Sequence, residues 1–121
     1  MSKRPTLSAS VKFFTLAEGG RREPPVLNDG RYVPHIVVGS PDTKVALVDE
    51  DGVCREPYLG VRFIDGPSQY ELGQNATVTL ELMYYPDVGY ADCVPGAEFT
   101  IREGGKVVGC GKVLTRPRDN T

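Results

Sequence analysis

The stretch Phe99-Thr100-Ile101-Arg102-Glu103-Gly104-Gly105-Lys106-Val107-Val108-Gly109-Cys110-Gly111-Lys112-Val113-Leu114 decides the fold. Two alternating arms flank Glu103-Gly104-Gly105-Lys106, and a glycine pair supplies the positive φ angles that a tight two-residue turn demands. The stretch predicts a β-hairpin. Gly109 and Gly111 lie two apart on one face of the second arm, where missing side chains permit sharp bending or the close approach of another backbone. Arg102 and Glu103 beside the turn read as a solvated pair, of a kind that contributes little to stability.

Working outward, residues 75–84 set Ala76, Val78, Leu80 and Leu82 against Thr77, Thr79, Glu81 and Met83, the two-residue period of a strand with one buried face. Residues 7–16 do the same, with Leu7, Ala9, Val11 and Phe13 alternating with Ser8, Ser10, Lys12 and Phe14. Shorter strands are predicted at residues 32–38, rich in β-branched side chains, and at 43–48 and 58–64. Between them fall turn signals. Glu18-Gly19-Gly20-Arg21 is a glycine turn, and Pro24-Pro25 prevents ladder pairing after it, so residues 19–31 are expected to form an irregular surface loop and a candidate contact surface. Gly39-Ser40-Pro41-Asp42, the acidic Asp49-Glu50-Asp51-Gly52, Asp65-Gly66-Pro67 and Gly73 mark further turns, and residues 86–96 read as a long loop. No segment has sustained helical periodicity. Many short strands in a small chain predict an all-β fold, a small closed antiparallel β-barrel that leaves no sheet edge exposed. The expected organisation is one domain over residues 1–121, with frayed ends at 1–5 and 116–121.

The totals narrow the function. Apolar residues make up 40% and charged residues 25%, as in ordinary folded domains, while 14 Lys+Arg against 16 Asp+Glu give a net charge of -2. Such a chain has no global attraction for phosphate backbones, so any nucleic-acid contact must come from a local patch. No apolar run approaches the roughly 20 residues that cross a bilayer, and Met1-Ser2-Lys3-Arg4-Pro5 leads into a strand, which together predict a cytoplasmic protein with no membrane association. Cys54, Cys93 and Cys110 are too scattered for a zinc site and read as free or buried thiols. His35 is the sole histidine, which excludes two-histidine metal sites and leaves any nucleophilic triad without an evident partner. Asp49 and Asp51 lack a calcium-loop spacing. Gly104-Gly105-Lys106 sits in a hairpin instead of between strand and helix, so it cannot cradle a nucleotide as a P-loop does. The expectation is a protein that is not an enzyme and carries no metal, nucleotide or other cofactor.

Several of these motifs occur in a familiar order. Glu18-Gly19-Gly20-Arg21, Pro24-Pro25, Gly30-Arg31-Tyr32 and Pro34-His35-Ile36, then Leu72-Gly73-Gln74-Asn75, then the final Arg102-Glu103-Gly104-Gly105-Lys106 hairpin resemble the C-terminal β-barrel, domain III, of the translation elongation factor Tu family. The resemblance spans most of the chain and implies a stand-alone barrel of that kind. Two features depart from the family pattern. Tyr85 precedes Pro86 where the family has a basic residue or histidine, with a longer, more acidic loop carrying Asp87 and Asp92 after it, and segment 42–65 has an acidic insertion around Asp49-Glu50-Asp51.

In that family the barrel meets the T-stem backbone of aminoacyl-tRNA and packs on the GTPase domain. Carried over by position, the resemblance implies that Arg21 and Arg22 approach phosphates, that Glu103 and Gly104 face the same stem, and that His35 takes the family's glutamine position. Arginine supplies fork-shaped charged donors, and reading an A-form helix by shape and phosphate requires little else. Two readings stay open: a non-catalytic module that binds tRNA or other translation-related RNA, and a protein-interaction module that mimics the elongation-factor barrel. The acidic loops suit the second, since they repel phosphate and can meet basic partners.

Overall fold

Alternating burial along the chain builds a barrel in the computed structural model, which describes residues 4–42, 50–51, 57–85 and 88–116. Its strands are β1 (Thr6–Phe13), β2 (His35–Val38), β3 (Leu59–Asp65), β4 (Asn75–Leu82), β5 (Glu98–Glu103) and β6 (Lys106–Thr115). They close in the order β1-β4-β3-β2-β5-β6, every neighbouring pair antiparallel, with the β1–β6 ladder sealing the ring. The all-β closed barrel expected from the sequence is the observed fold.

Inside, Leu7, Ala9, Val11 and Phe13 of β1 meet Ala76, Val78, Leu80 and Leu82 of β4, with Val61, Phe63, Ile36, Phe99 and Ile101 completing the wall. Each fully buried large apolar side chain stabilises the fold by about 1.5–3 kcal/mol. Closure depends on the two glycines of β6. A Cβ on Gly109 would fall 2.6 Å from the Lys12 carbonyl oxygen, and one on Gly111 would fall 2.6 Å from the Phe99 ring and 2.7 Å from the Ser10 carbonyl oxygen. The hairpin turn needs only one positive φ, at Gly104 (60°) and not at Gly105, the signature of a II′ turn.

Several boundaries differ from the sequence reading. β1 stops at Phe13, because Thr15 caps a short 3-10 turn (Leu16–Glu18): the Thr15 hydroxyl accepts from the Glu18 amide, and the Glu18 carboxylate accepts from the Thr15 amide. Phe14, assigned by alternation to the polar face, is buried. Tyr32 and Pro34 precede β2 yet still accept from Phe63 and Val61 through their carbonyls. The loop 19–31 is irregular as expected, but it is not all surface, since Pro25 and Leu27 are buried. Within the expected long loop, Val88–Asp92 forms another 3-10 turn. It seats Tyr90 in the core, where its hydroxyl donates to the Gly60 carbonyl at 2.5 Å and accepts from the Tyr84 amide at 3.1 Å.

The expected strand at 43–48 lies outside the described residues, as do Cys54, Pro86 and Asp87, and of the acidic turn only Glu50 and Asp51 are described. Residues 4, 5 and 116, expected to fray, make defined hydrogen bonds. Arg4 donates to the Met83 carbonyl, Pro5 accepts from the Leu82 amide, and Arg116 donates to the Tyr90 carbonyl, while residues 1–3 and 117–121 lie outside the described residues.

Candidate nucleic-acid interface

At one end of the barrel β1, β3 and β5 finish and β2, β4 and β6 begin, so the glycine loop after β1 and the β5–β6 turn are brought to one rim. The loop's course is dictated by its two glycines. Gly19 caps the 3-10 turn with φ at 88°, and Gly20 passes so close to the Phe14 carbonyl that a Cβ would fall 2.0 Å from its oxygen. The Gly20 carbonyl then accepts from Lys106 Nζ at 2.9 Å, a bond between the loop and the hairpin.

Arg21 makes the second tie. Its guanidinium forms an ion pair with Glu103 Oε2, while its Nε donates to the Glu23 carbonyl at 2.9 Å and its Cζ lies 5.3 Å from the centre of the Tyr32 ring. Tyr32 donates its hydroxyl to the same Glu103 oxygen at 2.6 Å. Burial pushes the Tyr32 hydroxyl well above its ordinary pKa, and the hydrogen bond to Glu103 pushes it further, so it remains a donor. The ring of Tyr32 also packs on Phe63 and Phe13, with centroids 5.1 and 5.8 Å away. The rim is therefore anchored to the core through one side chain.

Arg22 stands apart from this network. It is exposed, and among the described residues it has no hydrogen bond or ion pair. Together with Arg21, Glu23, Glu103 and Lys106 it lines an open depression of about 490 Å³, where three cations face two carboxylates. The rim thus carries a small positive excess on a chain that is negative overall.

The structure brings Arg21, Arg22, Glu103 and Gly104 together, and His35, which opens β2 at the same end beside Arg102, faces away from the barrel interior. His35 lies on the outer wall, in register with Gly60 and Arg102, and its ring stands 5.8 Å from that of Tyr58. Arg102 and Glu103 are not the solvated pair expected from their sequence position. Arg102 is buried, donating to Thr100 Oγ1 at 2.8 Å and to the Tyr58 hydroxyl at 3.1 Å, whereas Glu103 turns to Arg21. Sequence reasoning missed Tyr32 and Lys106 as members of the rim. The position of Lys106 opposite Glu103 across the turn was the available signal for one; for Tyr32, which acts through a loop, there was none.

Among the described residues no group of three or more His, Cys, Asp or Glu side chains could hold a metal ion. Cys93 is fully buried and burial raises its thiol pKa, an effect Arg116 only partly offsets, which disfavours the reactive thiolate. Also among the described residues, no helix is long and apolar enough to cross a membrane. No protein-family model matches the chain, and no curated protein matches it. Among the described residues the rim presents three cationic side chains and two carboxylates to an open depression.

Proposed function

We propose that this chain is a non-catalytic binding module of translation, similar in kind to the third domain of elongation factor Tu, which contacts tRNA or another structured RNA through the rim. The observation that supports this reading is the convergence of the glycine loop and the final hairpin, fastened by Arg21–Glu103 and by Lys106 to Gly20, with Arg22 exposed beside them. A loop fastened in this way carries its cations on a backbone already in place, which lowers the entropic cost of association. Roles divide accordingly. Arg22 and Lys106 face phosphates, Arg21 and Tyr32 set the shape of the loop, and Glu103 and Gly104 form the edge that meets the RNA backbone.

Binding of a folded tRNA across a salt series tests this reading. Wild-type protein is expected to bind at low salt, and Arg22→Ala should weaken binding and reduce the salt slope by about 1. Absence of binding at low salt rejects the proposal. A second reading, a cytoplasmic protein-interaction module that mimics the elongation-factor barrel, is favoured by the two carboxylates, Glu23 and Glu103, that share the rim with its cations. A partner recovered from lysate that resists ribonuclease and is lost on changing Glu23 would support that alternative.

A further inference from the structure

The outer wall of the barrel carries a second, chemically different surface. Because Leu59, Val61 and Phe63 of β3 point into the core, Gly60 and Arg62 point outward, and His35 of β2 lies beside Gly60 in the ladder. Tyr84, from the turn after β4, folds back so that its ring covers Gly60. A Cβ there would fall 2.3 Å from Tyr84 Cε2, so the ring rests on bare backbone. Tyr84 is nevertheless 62% exposed. On the other side of His35 stands the ring of Tyr58, 5.8 Å away between centroids. Three rings therefore lie along one stretch of sheet.

Charge accompanies them. Arg62 Nε and Arg4 NH1 approach the same Glu81 oxygen at 3.4 and 3.9 Å, so two guanidiniums share one carboxylate. Arg62 Nε has no hydrogen-bond partner despite being shielded from solvent, and half of the Arg4 side chain is exposed. Among the described residues, two arginines against one glutamate leave a residual positive charge next to exposed aromatic surface.

We propose that this face is a stacking platform for a short single strand of nucleic acid. Bases lie on the rings of Tyr84 and His35, and Arg62 and Arg4 pair with the flanking phosphates. Every base has a π-face, so rings spaced along a sheet accept successive bases whatever their sequence, and guanidinium groups complement the backbone between them. A peptide is the less favoured occupant, because two arginines against one glutamate call for repeated negative charge beside flat apolar groups, which a nucleic-acid strand supplies at every residue. This surface is on the barrel wall and shares no residue with the contacts of the Arg21–Glu103 rim, so it does not rest on the function proposed above.

The test is fluorescence anisotropy with a short fluorescein-labelled oligothymidylate at low salt. Wild-type protein is expected to bind. Tyr84→Ala should weaken binding about 5-fold to 150-fold, the range for losing one stacked base, and Tyr84→Phe should restore it. Arg62→Gln should weaken binding and lower the salt slope by about 0.7, the value for one phosphate of a single strand. Lys112→Gln, at an exposed position of β6 outside both surfaces, should leave this probe unaffected. Circular dichroism melts on each variant establish that the barrel is retained. No binding by wild-type protein, equal binding by Tyr84→Ala, or failure of Tyr84→Phe to rescue would overturn the proposal, as would a peptide that occupies the face while the oligonucleotide does not.

Discussion

Arg21 and Glu103, 82 residues apart in the chain, form an ion pair that ties the first glycine loop to the last hairpin across the end of the barrel. Both side chains are about one-third exposed or less, and Tyr32 donates to the same carboxylate oxygen. The three groups work as one fastening. Its partial burial makes it stronger than an open surface pair and weaker than a fully desolvated one.

Removing the charge of Glu103 leaves the Arg21 guanidinium without its counter-ion and weakens the acceptor for Tyr32. Glu103→Gln is expected to destabilise the protein by about 1–2 kcal/mol in urea unfolding, with an unchanged m-value. The cycle of Arg21→Ala, Glu103→Gln and the double variant should show positive coupling. Additive single effects would mean that the pair contributes nothing beyond its parts.

Gly109 marks the place where β6 passes closest to β1. A methyl group there would press on the Lys12 carbonyl oxygen at 2.6 Å and on Phe13 Cα at 3.2 Å, and backbone cannot swing aside as a flexible side chain can. Gly109→Ala should therefore cost at least about 1–3 kcal/mol, measured by thermal or urea unfolding. A change at exposed Gly105, which has no atom near the site of a Cβ and no positive φ, should cost far less.

Alkaline pH should loosen the same end of the barrel. The ordinary pKa of a tyrosine hydroxyl is 10.0, and that of Tyr32 is raised in the fold, first by burial and then by its bond to Glu103. A group whose folded pKa exceeds its unfolded one stabilises fully below the unfolded value, and that contribution falls as pH rises above it, because only the unfolded chain then releases the proton. Stability is thus expected to decline above about pH 10. Tyr32→Phe should flatten that decline while lowering stability at neutral pH. Tyr70, raised by burial and hydrogen-bonded to the Phe13 amide and the Gln74 carbonyl, supplies a residual slope.

Much of this fold is visible in two-residue periodicity and in the positions of glycine. The alternation in residues 7–13 and 75–82 identifies the inner wall directly, and the Gly104-Gly105 turn fixes the hairpin register. What could not be read are partnerships made by loops. Arg102 looks like a surface residue from its place beside a turn, yet its side chain is buried against Thr100 and Tyr58, because the outward side of a barrel strand can still be covered by another segment. Tyr90 sits between prolines and glycines in what reads as solvent-facing chain, and only the fold reveals that its hydroxyl satisfies the Gly60 carbonyl. The rim was half legible: its two glycine turns were evident, whereas the seat of Tyr32 beneath Arg21 is made by a loop, and the outward direction of His35 follows from its register with Gly60 and Arg102.

The most direct measurement of the central claim is amide chemical-shift mapping of isotope-labelled protein titrated with a folded tRNA at low salt. Shifts are expected to concentrate in residues 19–23 and 103–106, the two segments that Arg21 and Glu103 fasten together, and to be lost in Arg22→Ala. No shifts at all, or shifts confined to residues remote from that rim, would contradict it.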